Sequence, residues 1–343
     1  MKIDKTQIKK ILVIKFGGLG DVLLATPIFT NLKEYFPEAE INLLTNPKCS
    51  EVTKDNPYIT RTLTFGFTKE ESKRLSRNIR NQNYDLIIDL FTNPRTAFVT
   101  FRSKAKYRVG YNFRYRKYAY NIIIESRSSD VHNVDFNFDA LLKLEVPIIS
   151  KNLYIEISDA HEEYADKYFK DTGINSDNLM GIICSGGWES KRYKVEDYIT
   201  LIGKIFEKYK NKFILFWGTE KEKAECELIN KKYPDFTYIV PECGIRYAAA
   251  IMKKCKLCIG NDSGLLHIAV AAGVPVLGIY GPTNPKLQGP YGDNNLTIVN
   301  NKLDCLNCNL LDCPIGNICM TELSKDEIVK SIGELIKINN IIL

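Results

Sequence analysis

Hydrophobic and polar positions along the chain predict strands and helices in turn. Short apolar runs alternate with longer segments in which apolar residues repeat with the helical period. The predicted strands cover residues 11–14, 41–44, 86–90, 152–158, 179–184, 213–217, 257–260 and 274–280. The predicted helices cover residues 22–36, 159–170, 195–209, 220–232, 244–254, 263–272 and 324–338. This alternation is typical of parallel sheets with helices on both faces, so the predicted fold class is α/β.

The length of 343 residues favours two doubly wound, Rossmann-like domains over a single one. We expect the first domain at residues 1–160 and the second at residues 175–323, facing each other across a cleft. The C-terminal helix, in residues 324–343, could pack back on the first domain. Ligands of open α/β sheets bind at the carboxyl ends of strands, so functional residues are sought in the loops that follow strands.

Composition narrows the class of protein. Apolar residues make up 45% and charged residues 26% of the chain, as in soluble globular proteins. The apolar runs are far shorter than the ~20 residues that span a bilayer, and the N-terminal MKIDKTQIKK is too polar for a signal peptide. The sequence therefore predicts a cytoplasmic protein.

One segment, from Arg95 to Tyr120, is strongly basic. It carries eight Lys and Arg residues and no acid, and six Tyr and Phe residues interleave with the bases between Tyr107 and Tyr120. This mixture favours an anionic, partly apolar partner such as phosphorylated lipid headgroups or nucleic acid, with an ordinary solvated face as the alternative. We assign Arg114 and Arg116 to the acceptor side. We expect attachment to the inner face of the cytoplasmic membrane and no nucleic-acid partner.

The glycine-rich stretch FGGLGD, residues 16–21, lies between a predicted strand and a predicted helix. Gly18 and Gly20 fit a dinucleotide fingerprint, but Leu23 occupies its sixth position and no acid follows the second strand. Asp21 would repel a phosphate at the start of the helix. The loop therefore suits an acceptor alcohol, with Asp21 as general base; a simple N-cap is the alternative role, and the two roles are compatible.

A phosphate site is predicted in the second half of the chain. The backbone N–H groups of Ser263, Gly264 and Leu265 come at the start of a predicted helix, with His267 on the same face. Lys191, in the loop CSGGWESKRY, could neutralise a diphosphate. The loop WGTEKE offers two acids to ribose hydroxyls, namely Glu220 and Glu222.

Four cysteines near the C-terminus follow the spacing C-x2-C-x4-C-x5-C: Cys305, Cys308, Cys313 and Cys319. Four thiolates so close in sequence could reach tetrahedral geometry around zinc or another metal. The spacing is irregular for such a site, and packed or free thiols are the favoured interpretation. Disulfides are disfavoured in a reducing cytoplasm.

Four stretches resemble bacterial family 9 glycosyltransferases, the heptosyltransferases of lipopolysaccharide inner-core assembly: KFGGLGDVLLATP, WESKRY, WGTEKE and GNDSGLLHIAVAAGVPVLGIYGPTNPKLQGPYG. The resemblance runs from the first strand to the cysteine-rich tail. It implies the GT-B architecture and inverting transfer of a sugar from a nucleotide diphosphate, typically ADP-heptose. It also implies that the reaction needs neither a metal nor another cofactor.

The resemblance assigns roles to individual residues by motif. Asp21 matches the family's proposed catalytic base, and Lys191 matches its phosphate-binding lysine. The segment from Ser263 to His267 matches the diphosphate-binding turn, and Glu222 is preferred over Glu220 for the ribose. This sequence departs from the family in having Ser263 where threonine is common, and Tyr193-Lys194 where Trp-Pro is common.

Together these features predict a glycosyltransferase that moves a sugar, expected to be heptose, to an anionic, lipid-linked glycan acceptor such as the lipopolysaccharide core. Two alternatives belong to other classes of protein. One is a nonenzymatic module that binds sugar nucleotides or lipid on the same scaffold. The other is an NAD-dependent oxidoreductase, which the incomplete fingerprint disfavours.

Overall fold

The computed structural model describes residues 3–66, 69–127 and 131–343, which divide into two compact units at Glu156 and Ile157. The first unit contains β1 (Lys10–Ile14), β2 (Glu40–Thr45), β3 (Arg61–Thr64), β4 (Leu86–Asp89), β5 (Tyr107–Tyr111), β6 (Ile122–Ile124), α1 (Leu19–Leu23), α2 (Thr26–Tyr35), α3 (Lys69–Asn81), α4 (Pro94–Ser103) and α5 (Asn133–Lys143). A six-residue 3-10 turn, Arg114–Ala119, joins β5 to β6.

The second unit repeats this plan. It contains β7 (Leu179–Ile183), β8 (Lys212–Phe216), β9 (Thr237–Ile239), β10 (Leu257–Asn261), β11 (Val276–Ile279), β12 (Leu296–Ile298), α6 (Asp159–Thr172), α7 (Val195–Tyr209), α8 (Glu220–Lys232), α9 (Ile245–Lys253), α10 (Gly264–Ala271), α11 (Pro285–Gln288), α12 (Ile318–Thr321) and α13 (Lys325–Ile338). Another 3-10 turn, Glu189–Lys191, follows β7.

Each unit is built on a six-stranded parallel sheet. The strand order is β3-β2-β1-β4-β5-β6 in the first and β12-β11-β10-β7-β8-β9 in the second. In the first sheet Ile11 of β1 lies between Ile41 of β2 and Leu86 of β4. The inner strands are buried along nearly their whole length, as expected for parallel sheets that helices cover on both faces. The predicted α/β class is confirmed.

The predicted helix at residues 22–36 is two helices, because a proline interrupts the hydrogen-bond ladder. Pro27 has no N–H to donate, and it lies in the first turn of α2. The Leu23 carbonyl, at the end of α1, instead accepts a 2.6 Å hydrogen bond from the Thr26 hydroxyl. The break places Asp21 in a five-residue helix of its own.

The predicted strand at residues 152–158 is wrong. Leu153 and Ile155 are buried in alternation, as in a strand, but this segment has no ladder partner among the described residues. Side chains of α2 bind its backbone instead. The Thr26 hydroxyl accepts from the Tyr154 N–H at 2.9 Å, and Asn31 bonds the backbone of Ser150.

The C-terminal helix α13 packs within the second unit, whereas the sequence suggested the first domain. Its buried residues Ile328, Ile332 and Leu335 join the same core as Leu201 and Leu277. Because this apolar face is already covered by α7, β11 and β12, the helix completes the second unit. The described helices include none that is long and apolar enough to cross a bilayer.

Candidate functional site

Each sheet reverses its strand order once. In each sheet, the loops that follow the two strands at the reversal are neighbours at the carboxyl edge. In the first sheet the order reverses between β1 and β4, and in the second between β7 and β10. Crevices at such switch points are where open α/β sheets bind ligands. The loop after β1 carries the predicted base, and the loops after β7 and β10 carry the predicted phosphate-binding residues.

In the first unit, the carboxylate of Asp21 folds back on its own loop. It is the third residue of α1, and its Oδ2 accepts a 2.8 Å hydrogen bond from the Gly18 N–H. Gly17 has a φ of +133°, and a Cβ there would lie 2.5 Å from the Asp21 Oδ2. Gly17 is therefore required both by its backbone conformation and by the space that the carboxylate occupies. Gly20 lies within α1, beside Asp21.

A buried lysine lies behind this carboxylate. The Lys15 ammonium donates a 3.1 Å hydrogen bond to Asn137 Oδ1, and Asn137 in turn donates to the Leu24 carbonyl at 3.1 Å. Burial lowers the pKa of Lys15, and the nearby Asp21 carboxylate acts in the opposite direction. The acid is thus held at a half-buried position with a cation close by.

Neighbouring loops fix the glycine stretch from both sides. The Asn46 amide donates a 2.8 Å hydrogen bond to the Gly17 carbonyl. The Phe16 ring packs against the Phe91 ring, with centroids 5.5 Å apart, across the switch point. Asp89, at the end of β4, orders the Phe91 loop by accepting from the Phe91 and Thr92 N–H groups at 3.1 and 2.8 Å.

Asp89 is itself fully buried, which raises its pKa, while its hydrogen bonds oppose that rise. Of the two arginines assigned to the acceptor side, Arg116 is half-buried. Its guanidinium donates to the Thr92 carbonyl at 2.8 Å, which brings it to the Phe91 loop. The Arg114 side chain lies outside the described part of the structure.

In the second unit, the start of α10 has the predicted form. Ser263 is the N-cap, and its Oγ accepts from the Leu266 N–H at 3.4 Å. Gly264 and Leu265 supply the first N–H groups of the helix, which have no acceptor within an α-helix. His267 lies in the same turn and is 3% exposed. These groups present partial positive charge at the carboxyl edge of β10.

Lys191 reaches this helix start from the loop after β7. Its ammonium lies 2.7 Å from Oδ2 of Asp262, the residue before the N-cap, and both side chains are largely buried. Asp262 also accepts a 2.7 Å hydrogen bond from the Thr283 hydroxyl. The ammonium lies 4.2 Å from the centroid of the Trp188 ring. The structure therefore brings Lys191 and the segment from Ser263 to His267 together.

The two acids predicted to contact the ribose differ in burial and in hydrogen bonding. Glu222 is 3% exposed, and its two carboxylate oxygens accept from the Gly186 N–H at 3.0 Å and the Gly218 N–H at 2.8 Å. It thereby ties the loop after β7 to the loop after β8. The Glu220 side chain is 77% exposed and lies 3.9 Å from the Lys223 ammonium. Glu222 belongs to the loops around the site, and Glu220 faces solvent.

The cysteine-rich loop lies beside the same loops. The Ser190 hydroxyl donates to the Leu310 carbonyl at 2.7 Å, and the Asn309 N–H donates to the Pro282 carbonyl at 2.8 Å. Burial, together with the neighbouring cysteines, raises the pKa of Cys319 to about 11. All four cysteines are free thiols: Cys305, Cys308, Cys313 and Cys319. Within the described ranges, no group of three or more His, Cys, Asp or Glu side chains could hold a metal ion.

Sequence reasoning gave no role to Asp262, Lys15 or Asn261. A signal existed for Asp262, because an acid between a buried strand and an apolar helix must be paired if it is buried. Asn261 is fully buried, and its Oδ1 accepts from the Tyr193 N–H and the Tyr198 hydroxyl, both at 3.1 Å. It fixes the Lys191 loop against β10, which no local pattern indicates.

Comparison with known proteins identifies the family. The family model described as glycosyltransferase family 9 (heptosyltransferase) matches residues 72–318, well over half of the chain. The chain belongs to glycosyltransferase family 9. Lipooligosaccharide heptosyltransferase 2 of Haemophilus influenzae is 23% identical over 82% of this chain and 86% of its own.

Solved glycosyltransferase structures share the fold. The glycosyltransferase of Veillonella parvula superposes with a TM-score of 0.80 at 22% identity, covering 98% of this chain and 99% of its own. The Escherichia coli heptosyltransferase WaaC with ADP superposes with a TM-score of 0.74 at 18% identity, covering 95% and 99%. These likenesses confirm the predicted GT-B class. Family membership makes this protein a glycosyltransferase, which removes the NAD-dependent oxidoreductase as an interpretation.

Proposed function

We propose that this family 9 glycosyltransferase transfers heptose from ADP-heptose to a lipopolysaccharide core or a related lipid-linked glycan, with inversion and without a metal. The observation that carries the proposal is the Lys191 ammonium 2.7 Å from Asp262, at the start of α10. A cation beside a helix N-terminus is suited to an anionic diphosphate. The relatives supply the rest: they are named heptosyltransferases, and WaaC was solved with ADP.

In the proposed reaction the acceptor oxygen attacks the anomeric carbon of the sugar. The bond from that carbon to the diphosphate oxygen breaks, and ADP leaves with the bonding electrons. Asp21 takes the proton of the acceptor hydroxyl. A single displacement of this kind inverts the anomeric configuration.

Negative charge grows on the departing diphosphate as that bond breaks. Lys191, His267 and the N–H groups of Gly264 and Leu265 would stabilise it, and the proximity of the Lys191 ammonium to the start of α10 supports this role. This arrangement supplies the positive charge that a divalent metal would otherwise provide. Glu222 would meet the ribose, since it is the acid that lies among the loops after β7 and β8.

The acceptor is proposed to meet the first unit, where the Asp21 carboxylate excludes a phosphate from the start of α1. Gly18, Gly20, Arg114 and Arg116 belong to this acceptor side. Because a lipopolysaccharide acceptor is anchored in a membrane, we place the enzyme in the cytoplasm with peripheral attachment to the inner face of the cytoplasmic membrane.

A donor screen tests the proposal. ADP-heptose is compared with other ADP-, GDP- and UDP-sugars for thermal protection, and for release of the nucleotide in the presence of a heptose-deficient lipopolysaccharide core. We expect ADP-heptose to protect the protein and to be consumed, with EDTA leaving the rate unchanged and NMR showing an inverted anomeric centre. Turnover of a UDP-sugar alone would refute the donor assignment. Protection without turnover of any donor would favour the nonenzymatic binding module.

A further inference from the structure

One face of the first unit exposes several large aromatic side chains to solvent. Phe98 and Phe101 on α4 are 42% and 48% exposed, and Tyr115 and Tyr118 on the 3-10 turn Arg114–Ala119 are 89% and 57% exposed. The Phe101 and Tyr118 rings lie edge to face with centroids 5.7 Å apart. The helix and the turn therefore form one continuous surface, here called the α4 surface.

Every charged residue of the segment that forms the α4 surface is basic. Arg95, Arg102, Lys104 and Lys117 are exposed around the aromatic rings. No acid occurs between Arg95 and Tyr120, so no carboxylate of this segment neutralises these bases. Exposed aromatic rings surrounded by Lys and Arg are suited to the boundary between headgroups and acyl chains of an anionic bilayer.

A depression of about 320 Å³ opens on this surface. Four bases and one aromatic ring line it: Arg80, Arg102, Lys104, Arg108 and Phe101. Arg108 is held in place by hydrogen bonds from its guanidinium to the Ala119 and Ala105 carbonyls at 2.9 and 2.6 Å. A pocket with cationic walls and an apolar patch matches a phosphate headgroup with the start of its acyl chains.

A series of contacts connects the α4 surface to the loop that carries the proposed base. The Arg116 guanidinium ties the 3-10 turn to the Thr92 carbonyl, and the adjacent Phe91, 36% exposed, packs against Phe16 of the glycine loop. Phe16 precedes the loop that carries Asp21. An acceptor anchored in a bilayer would therefore approach Asp21 along the side of the unit that carries the exposed rings.

We propose that the α4 surface docks the protein on an anionic phospholipid bilayer, with its aromatic rings at the acyl boundary and a headgroup phosphate in the basic depression. The peripheral attachment to a membrane and the delivery of the acceptor rest on the proposed function, to which this inference adds the surface and the headgroup pocket that make the contact. Positive charge alone would suit nucleic acid as well as a bilayer. A bilayer is favoured because four exposed aromatic rings lie on the same surface as the Lys and Arg side chains.

The test measures binding of the full-length protein to vesicles, without donor or acceptor present. Two double variants are compared with the unmodified chain: Arg102→Glu/Lys117→Glu, and Phe98→Ser/Tyr115→Ser. The matched controls lie in the second unit, where Lys330→Glu/Lys337→Glu reverses two exposed charges and Leu228→Ser removes an exposed apolar side chain. All of these side chains are exposed, so unchanged thermal unfolding is expected and verifies the fold.

We expect cosedimentation with vesicles containing phosphatidylglycerol, weakened by salt and much reduced on pure phosphatidylcholine. The charge-reversal variant should bind at least about tenfold more weakly, since each basic residue near an anionic membrane contributes about fivefold in affinity. The aromatic variant should also bind at least about tenfold more weakly, since it removes two rings proposed to lie at the acyl boundary. The control variants should bind like the unmodified chain. Equal loss in the control variants, or no vesicle binding at all, would overturn the proposal, as would binding to oligonucleotides in place of vesicles.

The outcome is separable from that of the proposed function. Vesicle binding that depends on the α4 surface, combined with no transfer from any donor, would support the docking surface and refute the reaction. Transfer to a solubilised acceptor by a protein that does not bind vesicles would support the reaction and refute the docking surface.

Discussion

The loops that leave β1 and β10 share a chain pattern, since each runs from a buried strand through small residues into a helix. They differ in the side chain that accepts a hydrogen bond from a backbone N–H group at the helix start. At α1 the Asp21 carboxylate accepts from the Gly18 N–H at 2.8 Å, whereas at α10 the neutral Ser263 hydroxyl accepts from the Leu266 N–H at 3.4 Å. One helix start therefore carries a negative charge, and the other does not.

The nearest lysine also has a different position and partner in the two loops. Lys15 is buried under the first loop, with its ammonium bonded to Asn137, while Lys191 lies at the second loop against Asp262. In the second loop the acid precedes the N-cap and is neutralised by the lysine, so the N–H groups of Gly264 and Leu265 stay available to an anion. The same chain pattern thus suits the proposed base in one unit and the proposed anion site in the other.

The largest effect is expected from Asp21→Asn. The amide oxygen can still accept from the Gly18 N–H, so the loop should keep its conformation while losing the ability to take a proton. We expect kcat to fall by roughly two orders of magnitude or more, with the affinity for ADP-heptose nearly unchanged. Steady-state kinetics and nucleotide titration measure the two quantities separately.

A control distinguishes this effect from a loss of the cap. Asp21→Ala removes both the charge and the acceptor of the Gly18 hydrogen bond, so it should unfold at a lower temperature than Asp21→Asn. Comparable turnover in Asp21→Asn and the unmodified enzyme would show that the carboxylate is only a cap.

A smaller effect is expected from Lys191→Met, which removes the cation of the second loop. Hydrogen bonds to charged groups contribute about 1.5–3 kcal/mol, so donor affinity should fall by about tenfold or more, and kcat should also decrease. Isothermal titration with ADP and steady-state kinetics check both. The change also leaves Asp262 buried with its charge uncompensated, which destabilises the protein and repels the diphosphate.

The double variant Lys191→Met/Asp262→Asn separates these two causes. The amide removes the uncompensated charge and can keep the hydrogen bond from the Thr283 hydroxyl, so thermal stability should recover. Donor affinity should stay low, because the cation is still missing. Full recovery of affinity would mean that Lys191 acts only as the partner of Asp262.

The sequence predicted what depends on local pattern and failed where distant parts of the chain meet. The helices Val195–Tyr209 and Glu220–Lys232 have the predicted ends, because capping and periodicity are local. The alternation of residues 152–158 was also real, but whether a neighbouring strand exists cannot be read from alternation. Likewise the start of α10 was predicted from the small residues around Ser263, whereas the pairing of Asp262 with Lys191 joins this loop to the loop after β7.

The smallest effect is expected from Ser263→Ala, which removes the neutral cap of α10. An N-cap change of this kind costs about 0.5–2 kcal/mol of stability, measurable as a shift in the denaturant midpoint at unchanged slope. Donor affinity should fall by less than in Lys191→Met, since the N–H groups and the lysine are retained. Ser263→Thr is the matched control, because threonine keeps the hydroxyl and should keep both properties. If Ser263→Ala instead weakened the donor more than Lys191→Met, the hydroxyl itself, and not the helix start, would be the main contact of the diphosphate in the second loop.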